Sequence, residues 1–343
     1  MSSNQSRPSS PSSVINELQN LSVQSISSVP ETSLENIRNF FCGMSDSAIL
    51  RYGLGLPNAS APALAENTVV IVMDCEKHEH EPRVLTEYGL HTFTRKEMAP
   101  IFQNPGAHGE EILRNIYYYH IRLLENAHYT NRKFCPGNPE KNHFGSTRFA
   151  TKQQAKDFLT NAIAWPVEEG APESGDKCPV IFLGHAVKNE LQMLQDDLGV
   201  DPSVLSNVVA IIDTQTIAAE QGYRGRGDKI GLGPLMEQCG VEFKDGHTAS
   251  NDAAYTVIGA LHMVMKDRLP LGNERSLQDV VDDLGSYSAG VAPDVGVKKY
   301  CTRCASFQHN RPQCRGKIER CEKCLKAGHE KAAYTHVTKL CSH

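Results

Sequence analysis

The run Val69-Val-Ile-Val-Met-Asp-Cys-Glu76 constrains the fold of this chain more than any other stretch. Its consecutive apolar residues, mostly β-branched, form a strand buried on both faces, which needs a sheet with helices above and below it. The strand ends in acid. Side chains alternate along a strand, so Asp74 and Glu76 share one face while Cys75 points to the other. Paired carboxylates repel, and a hard divalent cation, Mg²⁺ or Mn²⁺, relieves the repulsion. The plainer alternative is one acid solvated at the strand end and another capping a helix.

A chain of 343 residues that is 40% hydrophobic can bury a full core and still carry appendages. Its net charge of −5 hides an asymmetry. Lys298 to His343 holds eleven Lys and Arg against three Glu, a net of +8, which leaves −13 on the residues before it. An acidic body with a basic tail is not a uniformly basic nucleic-acid binder, although the tail alone can hold a polyanion. Five cysteines are scattered through the body and six cluster in the tail. With no signal peptide and no membrane-length apolar run, the expected compartment is reducing, nucleus or cytoplasm, and no membrane partner is expected.

The organisation read along the chain is as follows. Residues 1–31 form a Ser-rich arm, expected to be disordered, and 32–65 a short amphipathic helix and linker. Residues 66–268 form the main domain, 269–297 a linker with one short helix at Ser276 to Leu284, and 298–343 the tail. Within the main domain Lys77 to Pro82 reads as a solvated turn holding His78 and His80, and Val84 to Phe93 as a second strand. Ile116 to Leu123 reads as a third strand with flanks that could be helical, and Phe149 to Trp165 as a helix. Pro179 to Gly184 is another buried strand, followed by a helix carrying Glu190, and Asn207 to Thr214 is a core strand ending in Asp213. The loop Gly222-Tyr-Arg-Gly-Arg-Gly offers Arg224 and Arg226 to phosphate or to solvent. His247 and Asp252 open a long apolar helix running through Met265.

These motifs occur in a telling order: Asp74-x-Glu76, Gly184-His185 with an acid six residues past the glycine, Asp213-Thr, and His247-x4-Asp252. The chain thus resembles the DEDDh 3′–5′ exonucleases of the ribonuclease H-like fold. Glu87-Tyr-Gly-Leu, Asn142-His-Phe-Gly-Ser and Gly184-His-Ala-Val-Lys-Asn are similar to the fungal Gfd-type subgroup, named for suppressing a defect in an mRNA-export helicase. The resemblance implies an α/β fold with a mixed sheet flanked by helices. It further implies that Asp74, Glu76 and Asp252 bind two Mg²⁺ or Mn²⁺ ions, with Glu190 where the family carries aspartate, and that His247 is the general base. The implied activity is hydrolysis of single-stranded nucleic acid, RNA in particular. The alternative is a nucleic-acid-binding adaptor that keeps the fold without turnover.

In the tail, Cys301-x2-Cys304-x4-His309-x4-Cys314 has the spacing of a CCHC zinc knuckle, a module that takes most of its folding energy from Zn²⁺. Cys321-x2-Cys324-x4-His329 starts a second copy, which His336 or Cys341 must complete. A rival arrangement joins Cys301, Cys304, Cys321 and Cys324 in one site, so one or two Zn²⁺ are expected. Knuckles bind single strands by stacking bases on exposed rings and holding phosphates with cations. Phe307 and Tyr334 are the candidate platforms, and Arg303, Arg311 and Lys323 the phosphate partners. Protein binding through the zinc tail is the other expected use.

Overall fold

The structure, a computed structural model, describes residues 31–167, 177–227, 229–269, 275–316, 320–334 and 336–341. The expected disordered arm lies outside the described residues apart from Glu31, as does most of the loop at 167–177. The strands are β1 (Val69–Lys77), β2 (Leu85–Thr94), β3 (Tyr117–Leu123), β4 (Ser146–Ala150), β5 (Val180–Gly184) and β6 (Val208–Asp213). They form one mixed sheet in the order β4-β3-β2-β1-β5-β6. The β1–β2 and β2–β3 pairs are antiparallel, and β1–β5, β5–β6 and β3–β4 are parallel.

Helices cover both faces: α1 (Glu31–Phe41), α2 (Asp46–Gly53), α3 (Arg95–Met98), α4 (Glu110–Arg114), α5 (Lys152–Ile163), α6 (Lys188–Leu198), α7 (Thr214–Glu220), α8 (Leu232–Gln238), α9 (Ala249–Val264) and α10 (Leu277–Ser288). The alternation of β1 decides which core each of its side chains enters. Val70 and Val72 pack with α1, α2 and α7 to α10, whereas Val69, Ile71, Met73 and Cys75 pack with α5 and α6. Continuing the even row puts Asp74 and Glu76 on the side of α9. That helix is buried at every position except His262, as its nearly unbroken apolar sequence requires. Its first turn lies directly on β2. A Cβ on Gly89 would come within 2.4 Å of the Ala249 carbonyl oxygen, so only glycine permits this approach.

The helix expected from Phe149 is a correction. Ser146–Ala150 is an edge strand, and α5 starts only after Thr151, whose side chain and that of Gln154 close a capping box. All five residues of this strand pair in parallel with β3, and on its other side Phe149 exchanges two backbone hydrogen bonds with Val297, at 2.8 and 2.9 Å. A pairing 148 residues away leaves no local signal. The linker expected at 269–297 carries α10, which buries Leu277, Val280, Val281 and Leu284 against the main core. Leu34, Ile37 and Phe41 of α1 lie in that same core. Each such side chain is worth about 1.5–3 kcal/mol of burial.

The tail contains α11 (Glu322–Lys326) and α12 (Glu330–Ala333) and lies against the body. Tyr300 shares a small core with Ala127 and Phe149, closed by Leu124, Ala305 and Leu340. No helix among the described residues is long and apolar enough to cross a membrane.

Candidate functional site

Three elements bring acids together. β1 supplies Asp74 and Glu76, the first turn of α6 supplies Glu190, and the first turn of α9 supplies Asp252. Asp74 Oδ2, Glu190 Oε2 and Asp252 Oδ1 are each shut off from solvent without a hydrogen-bond partner. Oxygens that could point at water but do not are expensive unless a cation is their partner. Burial, then Asp252, Glu76 and Glu190, hold the Asp74 carboxyl well above the usual carboxylate range. Glu76 is raised in the same way by burial, then Asp252 and Glu87. Burial pushes Glu190 up to about 8 and Asp252 up to about 7. Such a donor set, all carboxylate and all resisting ionisation, suits a hard divalent cation.

Ligand atoms of Glu76, His247 and Asp252 all lie within 4.8 Å of one another; Asp74 and Glu190 are neighbours of this group without belonging to it. His247 stands over Glu76, with Nδ1 3.8 Å from Oε1, and is partly open to solvent. Its backbone is left-handed (φ 56°), and its N–H donates to Asp252 Oδ2 at 3.0 Å. Burial lowers the imidazole pKa, so the ring is neutral at pH 7. Asp213 serves the site indirectly. Its carboxylate accepts the N–H groups of Ala186 and Val187, at 3.1 and 3.2 Å, and so fixes the turn that launches α6 and Glu190.

Glu87 is the residue that the sequence reading left without a role. It pairs directly with Glu76 across β1 and β2, is wholly buried, and accepts the Ala249 N–H at 3.0 Å. Burial alone would raise its pKa, but His120 at 3.3 Å and Arg122 at 3.5 Å bring it below the usual range. Glu87 is therefore an anion that ties the acids of β1 to the start of α9. The available signal was polar residues at alternate positions, His120 and Arg122, in an otherwise apolar strand.

The expected solvated turn after β1 is also corrected. His78 is 6% exposed and stacks on Tyr129 at 4.6 Å, because the segment after β3 folds over it. Glu79 of that turn accepts backbone N–H groups from Arg132, Lys133 and Phe134, at 3.0, 3.0 and 2.7 Å. The loop so held ends at Gly137, where a Cβ would stand 2.0 Å from the His247 carbonyl oxygen. Arg224 donates to Ala219 O and Tyr223 O, both at 2.9 Å, and closes its own loop.

In the tail, Cys301, Cys304, His309 and Cys314 converge to within 4.8 Å. The second group is Cys321, Cys324, His336 and Cys341. His336 and Cys341, which the spacing offered as alternatives, are thus both in it, and His329 is not. Gly328 (φ 76°) turns the chain, and His329 becomes the exposed N-cap of α12, outside the ligand group. Both groups have the thiolate and imidazole donors that suit zinc, and the ribbon-type arrangement is not formed. Phe307 and Tyr334 are each 54% exposed, the first with its ring 5.2 Å from Tyr300 and the second under Arg320. Lys323 is exposed, while Arg303 and Arg311 are half-buried.

The family model for the DEDDh_C group, the DNA polymerase III subunit epsilon-like C-terminal domain, matches residues 69–263. An uncharacterised nucleolar protein of Schizosaccharomyces pombe is 22% identical over 191 residues, which cover 54% of this chain and 65% of that one. Among solved structures, Escherichia coli exonuclease I bound to single-stranded DNA in a zinc-bound form has a TM-score of 0.35. The same enzyme with a dA16 oligonucleotide has a TM-score of 0.34. Each is 12% identical and covers 63% of this chain, which spans 42% of that enzyme.

Proposed function

The chain belongs to the DEDDh_C family, and from that premise we propose that it is a metal-dependent 3′–5′ exonuclease acting on single-stranded nucleic acid, RNA in particular. The observation that carries this is the convergence of Asp74, Glu76, Glu190 and Asp252, with three buried carboxylate oxygens left without partners, beneath His247. These four acids would hold two Mg²⁺ or Mn²⁺ ions, which when bound activate water and neutralise the charge that develops on the leaving 3′ oxygen. His247 takes the proton of the attacking water. Its lowered pKa keeps the ring free to accept, and its half-open position lets the proton leave. Asp252 fixes the base by accepting the His247 N–H. Glu190 reaches the cluster from α6 with one methylene more than aspartate.

The tail groups would each hold Zn²⁺ and present Arg303, Phe307, Arg311, Lys323 and Tyr334 to the strand. Within the family we assign the chain to the fungal Gfd-type subgroup on the motifs given above. The nucleolar relative supports a nuclear location. A second reading, an adaptor without turnover, is favoured by one observation: Glu190 lies outside the tight ligand group.

Purified protein with Mn²⁺ and 5′-labelled single-stranded RNA or DNA separates the two. Shortening from the 3′ end, reduced roughly a hundredfold or more in Asp74→Asn, is the expected result. Binding without shortening, indifferent to Asp74→Asn, establishes the adaptor instead.

A further inference from the structure

Arg311, between two ligands of the first cysteine-histidine group, and the loop at 130–140 line a half-open cavity of about 260 Å³ together with Arg122, with Arg132, Asn138 and Glu140 among its lining and Gly137 on its wall. Three arginines line it against one acid. Arg122 is paired with Glu87 and, at 2.7 Å, with Glu140, so those two acids are already engaged by a buried cation. Arg311 is half-buried, makes no ion pair among the described residues, and has Glu140, then Arg303, Arg122 and Arg132 as its charged neighbours. Arg132 is exposed, and its backbone rather than its side chain is held by Glu79. Bringing unpaired guanidinium groups together costs free energy that an anion would recover.

The convergence is built by packing. The Arg122 guanidinium lies 5.1 Å from the centre of the Phe149 ring, and the tilted rings of Phe149 and Tyr300 and of Tyr300 and Phe307 lie 5.6 and 5.2 Å apart. Asn310 Oδ1 accepts the Tyr300 N–H at 3.0 Å, which fixes the neighbour of Arg311 to the same column. Body and tail each contribute arginine to the cavity. Gly137, which touches the His247 backbone, also lines it, so cavity and acid cluster share one wall.

We propose that this cavity is a phosphate subsite, formed jointly by the exonuclease domain and the first zinc group, for the backbone of the strand whose 3′ end enters the acid cluster. The proposal rests on the function given above for the meaning of that strand, but its geometry stands without turnover. Arg311 and Arg132 contact internucleotide phosphate, and Arg122 supplies charge from below. The tail thereby becomes part of the substrate channel as well as a tether.

The test uses the zinc-loaded full chain, with no Mg²⁺ or Mn²⁺ added, and fluorescence anisotropy of a 5′-fluoresceinated oligouridylate titrated across salt concentrations. Arg311→Ala and Arg132→Ala should each weaken binding roughly tenfold at low salt and lower the salt slope by about 0.7. Arg311→Lys should recover part of the loss. Lys266→Ala, an equal loss of charge beyond the far end of α9, should change neither. Zinc content of each variant shows that the tail is intact, and Arg132→Ala lies outside it altogether. Wild-type affinity in both arginine variants, or an equal loss in Lys266→Ala, overturns the subsite. Competition by inorganic phosphate or uridine 5′-monophosphate identifies the source of the anion. If either one at micromolar concentration displaces the strand through Arg311, the site takes a free phosphate, and the strand subsite is overturned. Hydrolysis by the wild-type chain with Mn²⁺ is scored in parallel. No hydrolysis with Arg311-dependent binding ends the exonuclease reading alone, and hydrolysis with Arg311-independent binding ends the subsite alone.

Discussion

Asp252 and Glu190, at about 7 and about 8, keep protons in the folded chain that they would release near pH 4 when unfolded. The folded state therefore binds more protons than the unfolded one between those limits, and stability falls as pH rises through that interval. Buried histidines act in the opposite sense at the acid end. Burial lowers His91 to about 4 and His128 to about 3, so their contribution rises with pH until about 6.5 and is then constant. The window that isolates the acids is pH 6.5 to 8.5. Across it, zinc-loaded protein without added Mg²⁺ or Mn²⁺ should lose on the order of 5 °C in Tm by scanning calorimetry. Added Mn²⁺ should restore the loss at pH 8.5 and do little at the acid end. Asp252→Asn should flatten the pH slope and abolish the Mn²⁺ response, and a variant that keeps both would show that the acids act independently. Asp74 and Glu76 were legible because two charges end an apolar strand. Glu87 was not, because its part depends on which residue faces it across β1 and β2, a register that only the folded sheet sets.

At the scale of elements, β1 and β5 are readable as short apolar runs because interior strands have no solvent face to encode, and β6, at one edge of the sheet, keeps an apolar sequence because α1 and α2 pack on it. β4 is an edge strand with Ser, Thr and Arg in it, made a strand by pairing with β3 and bridged on its outer side by distant Val297. In the tail, the pair His309-x4-Cys314 recurs as His336-x4-Cys341, and that repeat carries the second ligand set better than the spacing to His329. Two glycines mark where elements touch around the site. Gly89→Ala sets a methyl group against backbone at 2.4 and 2.5 Å and should cost about 1–3 kcal/mol, measured by urea denaturation. Gly137→Ala acts on a surface loop, where the chain can give way by moving His247. It should lower turnover more than tenfold while costing less than about 1 kcal/mol of stability. Equal losses of stability in the two variants would remove the special position of the 137 loop.

Taken whole, the molecule sets a body of charge −13 against a tail of +8 and docks one on the other beside the acid cluster. Docking has two attachment points. The first cysteine-histidine group is held by the column from Phe149 to Phe307, and the second by His336, whose ring lies 4.5 Å from buried His128, itself 4.0 Å from Tyr129. Because His336 is also in the second ligand group, ordering of that group and docking are one event. The double variant Cys314→Ser with Cys341→Ser should therefore lose zinc and release the tail together, exposing Phe149, Tyr129 and His128 to hydrogen exchange. Released, the tail still carries its charge, but Arg303, Arg311 and Lys323 no longer hold fixed positions along a strand. With about 0.7 of a unit of slope per phosphate on a single strand, the loss of three placed contacts should lower the salt slope by about two. The Mn²⁺-dependent rise in Tm at pH 8.5 should persist, since Asp74, Glu76, Glu190 and Asp252 all come from the body. An unchanged slope would mean that the tail binds as a loose polycation, and a lost Mn²⁺ response would mean that the tail holds the acid cluster in shape.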